Sequence, residues 1–214
     1  MSASATAEHH LRAIRALMER ATIYRALSAP AALTGGTLSI LCAGALMRGG
    51  QTSWEFAIAW FAVFLVTVAM SGFLLCKDAR RRGQQFLSPA ARSAGLAMLP
   101  ALAAGGVLSA VAVVRDGTAV DLPGTWLFCY ALALLATGHF APRSIRRLGW
   151  AFLAAALVVL TDLHGIAFDA LAPKLDAPAR ANVTMAVTFG MLHLAYAAFT
   201  WSRRSNQADL VTEA

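Results

Sequence analysis

Apolar and polar positions in this chain alternate in long blocks rather than in a short rhythm. Six apolar runs, Ala26–Met47, Trp54–Cys76, Ser93–Val114, Thr125–Pro142, Leu148–Phe168 and Ala181–Trp201, are joined by short polar connections. A helix needs about 20 apolar residues to cross about 30 Å of hydrocarbon, so each run is a candidate span. Ahead of them, Glu8–Leu27 follows a helical period. Leu11, Ile14, Leu17, Met18, Ala21 and Tyr24 recur at three- and four-residue steps, and Arg12, Arg15, Glu19 and Arg20 fill the other faces. That pattern predicts an amphipathic helix lying in the headgroup plane, or else a docking helix for a protein partner. The expectation is an all-α polytopic membrane protein. It has a cytoplasmic N-terminus with the amphipathic helix (1–25), a six-transmembrane-helix bundle (26–201) and a polar tail (202–214).

Composition agrees with the pattern. The chain is 58% hydrophobic with 14% charged residues, where a soluble domain carries about 25% charge. Its mean hydropathy is +0.61. The net charge of +7 raises nucleic acid as a partner. The basic residues, however, stand at the ends of apolar runs with no folded basic domain to present them, so membrane lipid is the expected partner and nucleic acid is not.

The sides are unequal. Arg12, Arg15, Arg20 and Arg25 precede the first run. Lys77, Arg80, Arg81, Arg82 and Arg92 follow the second, Arg143, Arg146 and Arg147 follow the fourth, and Arg203 and Arg204 follow the sixth. The other side holds Arg48, Arg115, Lys174 and Arg180. Basic residues in short loops resist translocation, so both termini are expected in the cytoplasm. The Ala- and Arg-rich, Lys-poor usage suggests a GC-rich bacterial genome. Trp54, Trp126, Trp150 and Trp201 fall near run ends, where indole rings favour the interface. The first run reads as a retained span rather than a cleaved signal. Cys42, Cys76 and Cys129 lie in or beside apolar runs and read as small core residues.

The first and third runs share Pro30/Pro100, Gly35-Gly36/Gly105-Gly106 and Ser39/Ser109 at identical spacing. The second and fourth share Trp54/Trp126 and Phe56/Phe128. A duplicated hairpin and chance likeness between Ala/Gly-rich runs both explain this. The glycines also form small-xxx-small pairs, such as Ala32 with Gly36, that let helices approach closely. Pro30 and Pro100 are expected near the start of their spans, where a missing N–H costs least.

Ionisable groups within spans are costly and are therefore functional candidates. Asp162 stands about 21 Å along the fifth run at the helical rise per residue. His164 follows, and Asp169 and Glu55 lie toward the same outer level. Such a set would bind a cation or relay protons. On a continuous helix Asp162 and His164 point apart and cannot pair unless the helix breaks near Gly165. His139 and His193 raise haem ligation, but their depths differ by about 7 Å along the normal. Tyr130 and Tyr196 read as packing residues rather than a quinone site. Asn182, Thr184, Thr188 and His193 form a polar stripe on the sixth run that would line a pocket. No motif for a metalloprotease, serine hydrolase, nucleotide cradle or C-x-x-C pair occurs. The expectation is therefore no catalytic residue, no metal and no cofactor.

The segment Ile14-Arg15-Ala16-Leu17-Met18-Glu19-Arg20-Ala21-Thr22-Ile23-Tyr24-Arg25-Ala26-Leu27-Ser28 resembles the opening of a group of uncharacterised bacterial multi-pass membrane proteins, in which a Met-Glu-Arg amphipathic helix feeds the first span. The resemblance implies a bacterial inner-membrane protein and carries no activity. The function expected is a non-enzymatic membrane sensor or accessory protein. Its N-terminal arginines, with Arg80, Arg81 and Arg82, would meet lipid, a protein partner or a second copy. The alternative is a small transporter or channel that uses Asp162 and the polar stripe.

Overall fold

The structure, a computed structural model, describes residues 29–47, 51–81, 89–115, 121–138, 141–172 and 174–212. The Glu8–Leu27 segment with Arg12, Arg15, Arg20 and Arg25, and also Arg82 and His139, lie outside the described residues. Every element among those described is helical. They are α1 (Ala29–Leu46), α2 (Ser53–Arg81), α3 (Pro89–Val114), α4 (Asp121–Ala136), α5 (Arg143–Leu160), α6 (Leu163–Leu171), α7 (Ala177–Met185), a π-helical segment (Ala186–Met191) and α8 (Leu192–Thr212). Among the described residues four helices are long and apolar enough to cross a membrane, counting α7 through α8 as one to Ser202. A fifth is added if α5 and α6 are one bent span.

The helices depart from the apolar runs in several places. Helix α8 continues to Thr212, beyond the sixth run, and four other differences have a local reason. The second run continues as helix to Arg81, so Lys77, Arg80 and Arg81 sit on the last turns of α2 rather than in a loop. Cations at a helix C-terminus complement the exposed carbonyls there. Helix α4 starts at Asp121 because Pro123 falls in its first turn, where its missing N–H is no loss. It stops at Ala136, where Thr137 N–H and Gly138 N–H turn back to Leu134 O and Leu135 O. The fifth run is two helices, α5 and α6, bent by 70°. Finally, Pro100 lies inside α3 rather than near its start, and leaves the carbonyl of Leu96 without its usual amide.

Helix α4 is the centre of the molecule. Leu122, Leu127, Cys129, Ala131, Ala133 and Leu134 are all buried along it. Apolar all round, α4 is largely covered, mainly by α5 and α3, with Leu132 left exposed. One core cluster gathers Leu127, Leu134, Phe152, Ala156 and Tyr196. A second gathers Phe56, Trp60, Leu122, Ala181 and Met185. Helix α2 is the outlier. Phe56 and Trp60 are buried at its beginning, while Phe61, Phe64, Leu65, Val68 and Phe73 remain exposed.

The matched positions of the two hairpins occupy different surroundings. Trp54 is exposed, whereas Trp126 stacks on Phe56 with ring centroids 5.6 Å apart. Gly106 faces open space, whereas Gly36 is pressed against α8.

Candidate functional site

The site begins with a change of helical pitch. From Ala186 to Met191 the α7–α8 helix widens into one π turn. Such turns are rare and recur at functional sites. Around it the polar stripe is spent on specific bonds. Thr184 Oγ1 donates to Arg180 O at 2.9 Å and Thr188 Oγ1 to Thr184 O at 2.6 Å. Asn182, fully buried, accepts from Trp60 Nε1 at 3.1 Å and donates through Nδ2 to Pro178 O at 3.0 Å. The stripe therefore does not act as one lining. Its threonines satisfy themselves on their own helix, Asn182 clamps α2, and His193 alone of the four reaches the cavity described below.

His193 Nδ1 lies 2.7 Å from Phe189 O, and its Nε2 lies 2.9 Å from Tyr130 Oη. A carbonyl can only accept, so Nδ1 carries the hydrogen. In the neutral ring Nε2 is then an acceptor, and Tyr130 donates to it. Phe152 and Phe189 enclose the pair, with the Phe152 ring 5.1 Å from His193 and edge-on to Tyr130 at 4.9 Å.

Close approach of α1 completes this region. A Cβ on Gly36 would lie 2.9 Å from Gly190 O and 2.9 Å from Leu194 Cγ. A Cβ on Gly190 would lie 2.7 Å from Ile40 Cγ1. On its other side α1 meets α2, with Thr67 Cγ2 3.0 Å from a Cβ at Gly35. Gly36, of the Ala32/Gly36 pairing expected from sequence, is thus used against the π segment and α8.

Because α2 and α3 touch only sparsely, a cavity of about 450 Å³ remains between α1, α2, α3, α4 and the π segment. Its wall is mostly apolar. Ser39, Thr67, Ser109, Tyr130 and His193 and the indoles of Trp60 and Trp126 supply the polar atoms. Trp126 Nε1 donates to Ser109 Oγ. Sequence reasoning left Ser39, Trp60, Ser109 and Trp126 out of any site. Period and hydropathy assign no face to a residue on a helix that is apolar all round.

The acidic candidates stand elsewhere. Helix α5 alone is 18 residues, or about 27 Å, so Asp162 follows a length that reaches most of a bilayer core. Asp162 sits at the bend with φ 57, and its side chain is 85% exposed. The break brings its Oδ1 to 3.6 Å from His164 Nδ1, a pairing that a straight helix forbids. Gly165 permits this bend, since a Cβ there would meet Asp162 Oδ1 at 2.5 Å.

Glu55 closes a capping box with Thr52. Thr52 N–H donates to Glu55 Oε2 at 2.7 Å and Glu55 N–H donates to Thr52 Oγ1 at 3.2 Å. Asp169 binds Arg180 Nη1 at 2.7 Å. Of the four groups expected at one level, Asp162 and His164 thus meet each other, while Glu55 and Asp169 bond elsewhere. Among the described residues no three His, Cys, Asp or Glu converge as a metal site. Arg80 and Arg81 are exposed at the end of α2.

No family model, no curated protein and no solved structure matches the chain.

Proposed function

We propose that this chain is a non-enzymatic sensor or accessory protein of the bacterial inner membrane. In this reading it has six spans with both termini in the cytoplasm. It admits a lipid-soluble molecule to the cavity and engages lipid or a protein partner through its basic cytoplasmic face. The cavity carries the reading. It is apolar, walled by candidate spanning helices, and its Tyr130–His193 pair is bonded internally rather than arranged around a reacting atom. The distribution of Arg along the sequence supports the orientation. Helix α4, at 16 residues or about 24 Å, and α5 at 18 residues are short but reach most of a bilayer core.

The test is retention of partners in mild detergent, read by mass spectrometry of lipid and protein. The full chain should retain a stoichiometric protein or anionic lipid. Deletion of residues 1–25 should lose it while insertion persists. Association unchanged by the deletion overturns the reading.

A small transporter or channel is the second reading, and the 70° break at Asp162 favours it, since interrupted helices recur at transport sites. Asp162→Asn should then abolish flux in proteoliposomes, and wild-type flux in that variant removes Asp162 from the mechanism.

A further inference from the structure

One polar group on the cavity wall has nothing to bond. Ser39 is 4% exposed and lines the cavity, and its hydroxyl has no hydrogen-bond partner among the described residues. Apart from Trp54 Nε1, at the exposed start of α2, and the weakly donating Cys129 thiol, the other donors there are committed. Thr67 Oγ1 gives its hydrogen to Val63 O, Ser109 Oγ to Gly105 O, Trp60 Nε1 to Asn182, Trp126 Nε1 to Ser109 and Tyr130 Oη to His193. Having donated, Thr67, Ser109 and Tyr130 each keep a lone pair on oxygen. No residue that lines the cavity is charged.

We infer that the cavity is the binding site of an uncharged single-chain lipid, isoprenoid or acyl, whose head is one hydroxyl. This rests on the sensor reading above in taking the cavity as the working site. An ion in this wall would lose its hydration with no counter-charge to replace it, which excludes phospholipid heads and fatty-acid anions. A volume of about 450 Å³ lies within the range of small-ligand sites, and the apolar wall suits a hydrocarbon body. The head is chosen by the free hydrogen of Ser39 and the lone pairs left on the wall oxygens. A hydroxyl accepts from Ser39 and also donates to one of Thr67, Ser109 or Tyr130, whereas an ether or ketone uses Ser39 alone and a hydrocarbon uses neither.

The experiment uses the purified full chain in mild detergent and three diazirine probes of equal chain length. One is a sixteen-carbon alcohol, one its methyl ether and one the parent hydrocarbon, and adducts are located by peptide mass spectrometry. The alcohol should label the α2 and α3 walls on the order of tenfold more than the hydrocarbon, the effect of one well-made hydrogen bond in an apolar site. The ether should fall between them. Ser39→Ala should remove most of the preference for the alcohol. Gly106→Leu should abolish labelling, because Gly106 lines the cavity and a Cβ there meets nothing within 4 Å. Helicity by circular dichroism shows that each variant is folded, and Ser39→Ala, which only deletes an oxygen, keeps the test open if the leucine variant is not. A farnesyl alcohol probe run beside the acyl one distinguishes the two chain types, and preference for either supports the inference.

Equal labelling by alcohol and hydrocarbon, a preference unchanged in Ser39→Ala, or labelling that persists in a folded Gly106→Leu variant overturns it. Probe labelling is independent of the partner retention lost on deleting residues 1–25, so the two readings fail separately.

Discussion

Alanine at Gly36 is the sharpest perturbation the packing offers. The new Cβ would lie 2.9 Å from both Gly190 O and Leu194 Cγ. Ordinary carbon contacts lie at about 3.5–4.0 Å, so α1 or its neighbour must yield by roughly 0.6 Å or more. Leu194 can shift by changing rotamer. The carbonyl of Gly190 cannot, because it belongs to the backbone of the π segment. Overpacking of this kind costs about 1–3 kcal/mol, against a helix-propensity gain of about 1 kcal/mol for replacing glycine. Because the clashing Gly190 carbonyl is backbone, the upper part of that cost applies, and the net expectation is a loss of about 1–2 kcal/mol.

The built-in control is Gly106→Ala, where nothing stands within 4 Å and only the propensity gain of about 0.5–1 kcal/mol remains. The two variants should therefore move in opposite directions. Equilibrium unfolding in mixed micelles, followed by helicity and by the emission of the five tryptophans, reads both on one scale. A Gly36→Ala variant as stable as the parent, or shifted in the same sense as Gly106→Ala, would refute the close crossing of α1 on the π segment.

Asn182→Ala should cost about 1–3 kcal/mol, because it strands the buried Trp60 Nε1–H. Combined with Trp60→Phe it should cost clearly less than the two losses added, and simple additivity in that cycle would show that the bond carries no coupling. Asp162→Gly should be neutral or stabilising by up to about 1 kcal/mol, since φ 57 suits glycine, while Asp162→Val should lose about 1–2 kcal/mol; equal stability of the two would argue against the observed bend. With Cys42 and Cys76 replaced by alanine, Cys129 on the cavity wall should react faster with a lipid-soluble maleimide than with a charged one, and Gly106→Leu should slow it. Faster reaction with the charged reagent would place that thiol on a water-filled path instead.

Much of the helical framework was legible in the sequence, because burial in hydrocarbon demands long apolar runs and the described helices fall on those runs. The places where reading failed share a cause. Window-averaged hydropathy cannot distinguish a straight span from a bent pair, so Thr161 and Asp162 passed as two polar residues within a run. Yet Thr161 Oγ1 turns back onto Leu157 O at 2.6 Å and Asp162 takes a left-handed conformation that ends α5.

Glu55 was overvalued as an ionisable group, although Thr52-Ser53-Trp54-Glu55 is a capping-box spacing that could have been recognised beforehand. The glycines announced close contacts but not partners. Gly36 and Gly105 press on neighbours while Gly106 presses on none, a difference set by tertiary placement alone. The candidate cavity was less legible still. It exists because α2 and α3 do not pack along their length, and no pattern within either helix states that.

The π turn also acts as a counting device. It amounts to one surplus residue within an otherwise α-helical element, and each residue turns an α-helix by about 100°. The surplus rotates everything after Met191 relative to everything before Ala186. That rotation lets Asn182 address Trp60 on α2 while His193, further along the same rod, addresses Tyr130 on α4. Removal of any single residue from 186–191 would give a more regular helix and a misaligned molecule, with His193 and Tyr196 swung away from their partners together. Substitutions in this stretch can be mild, but its length cannot vary, and a one-residue deletion should harm this protein more than most side-chain changes made there.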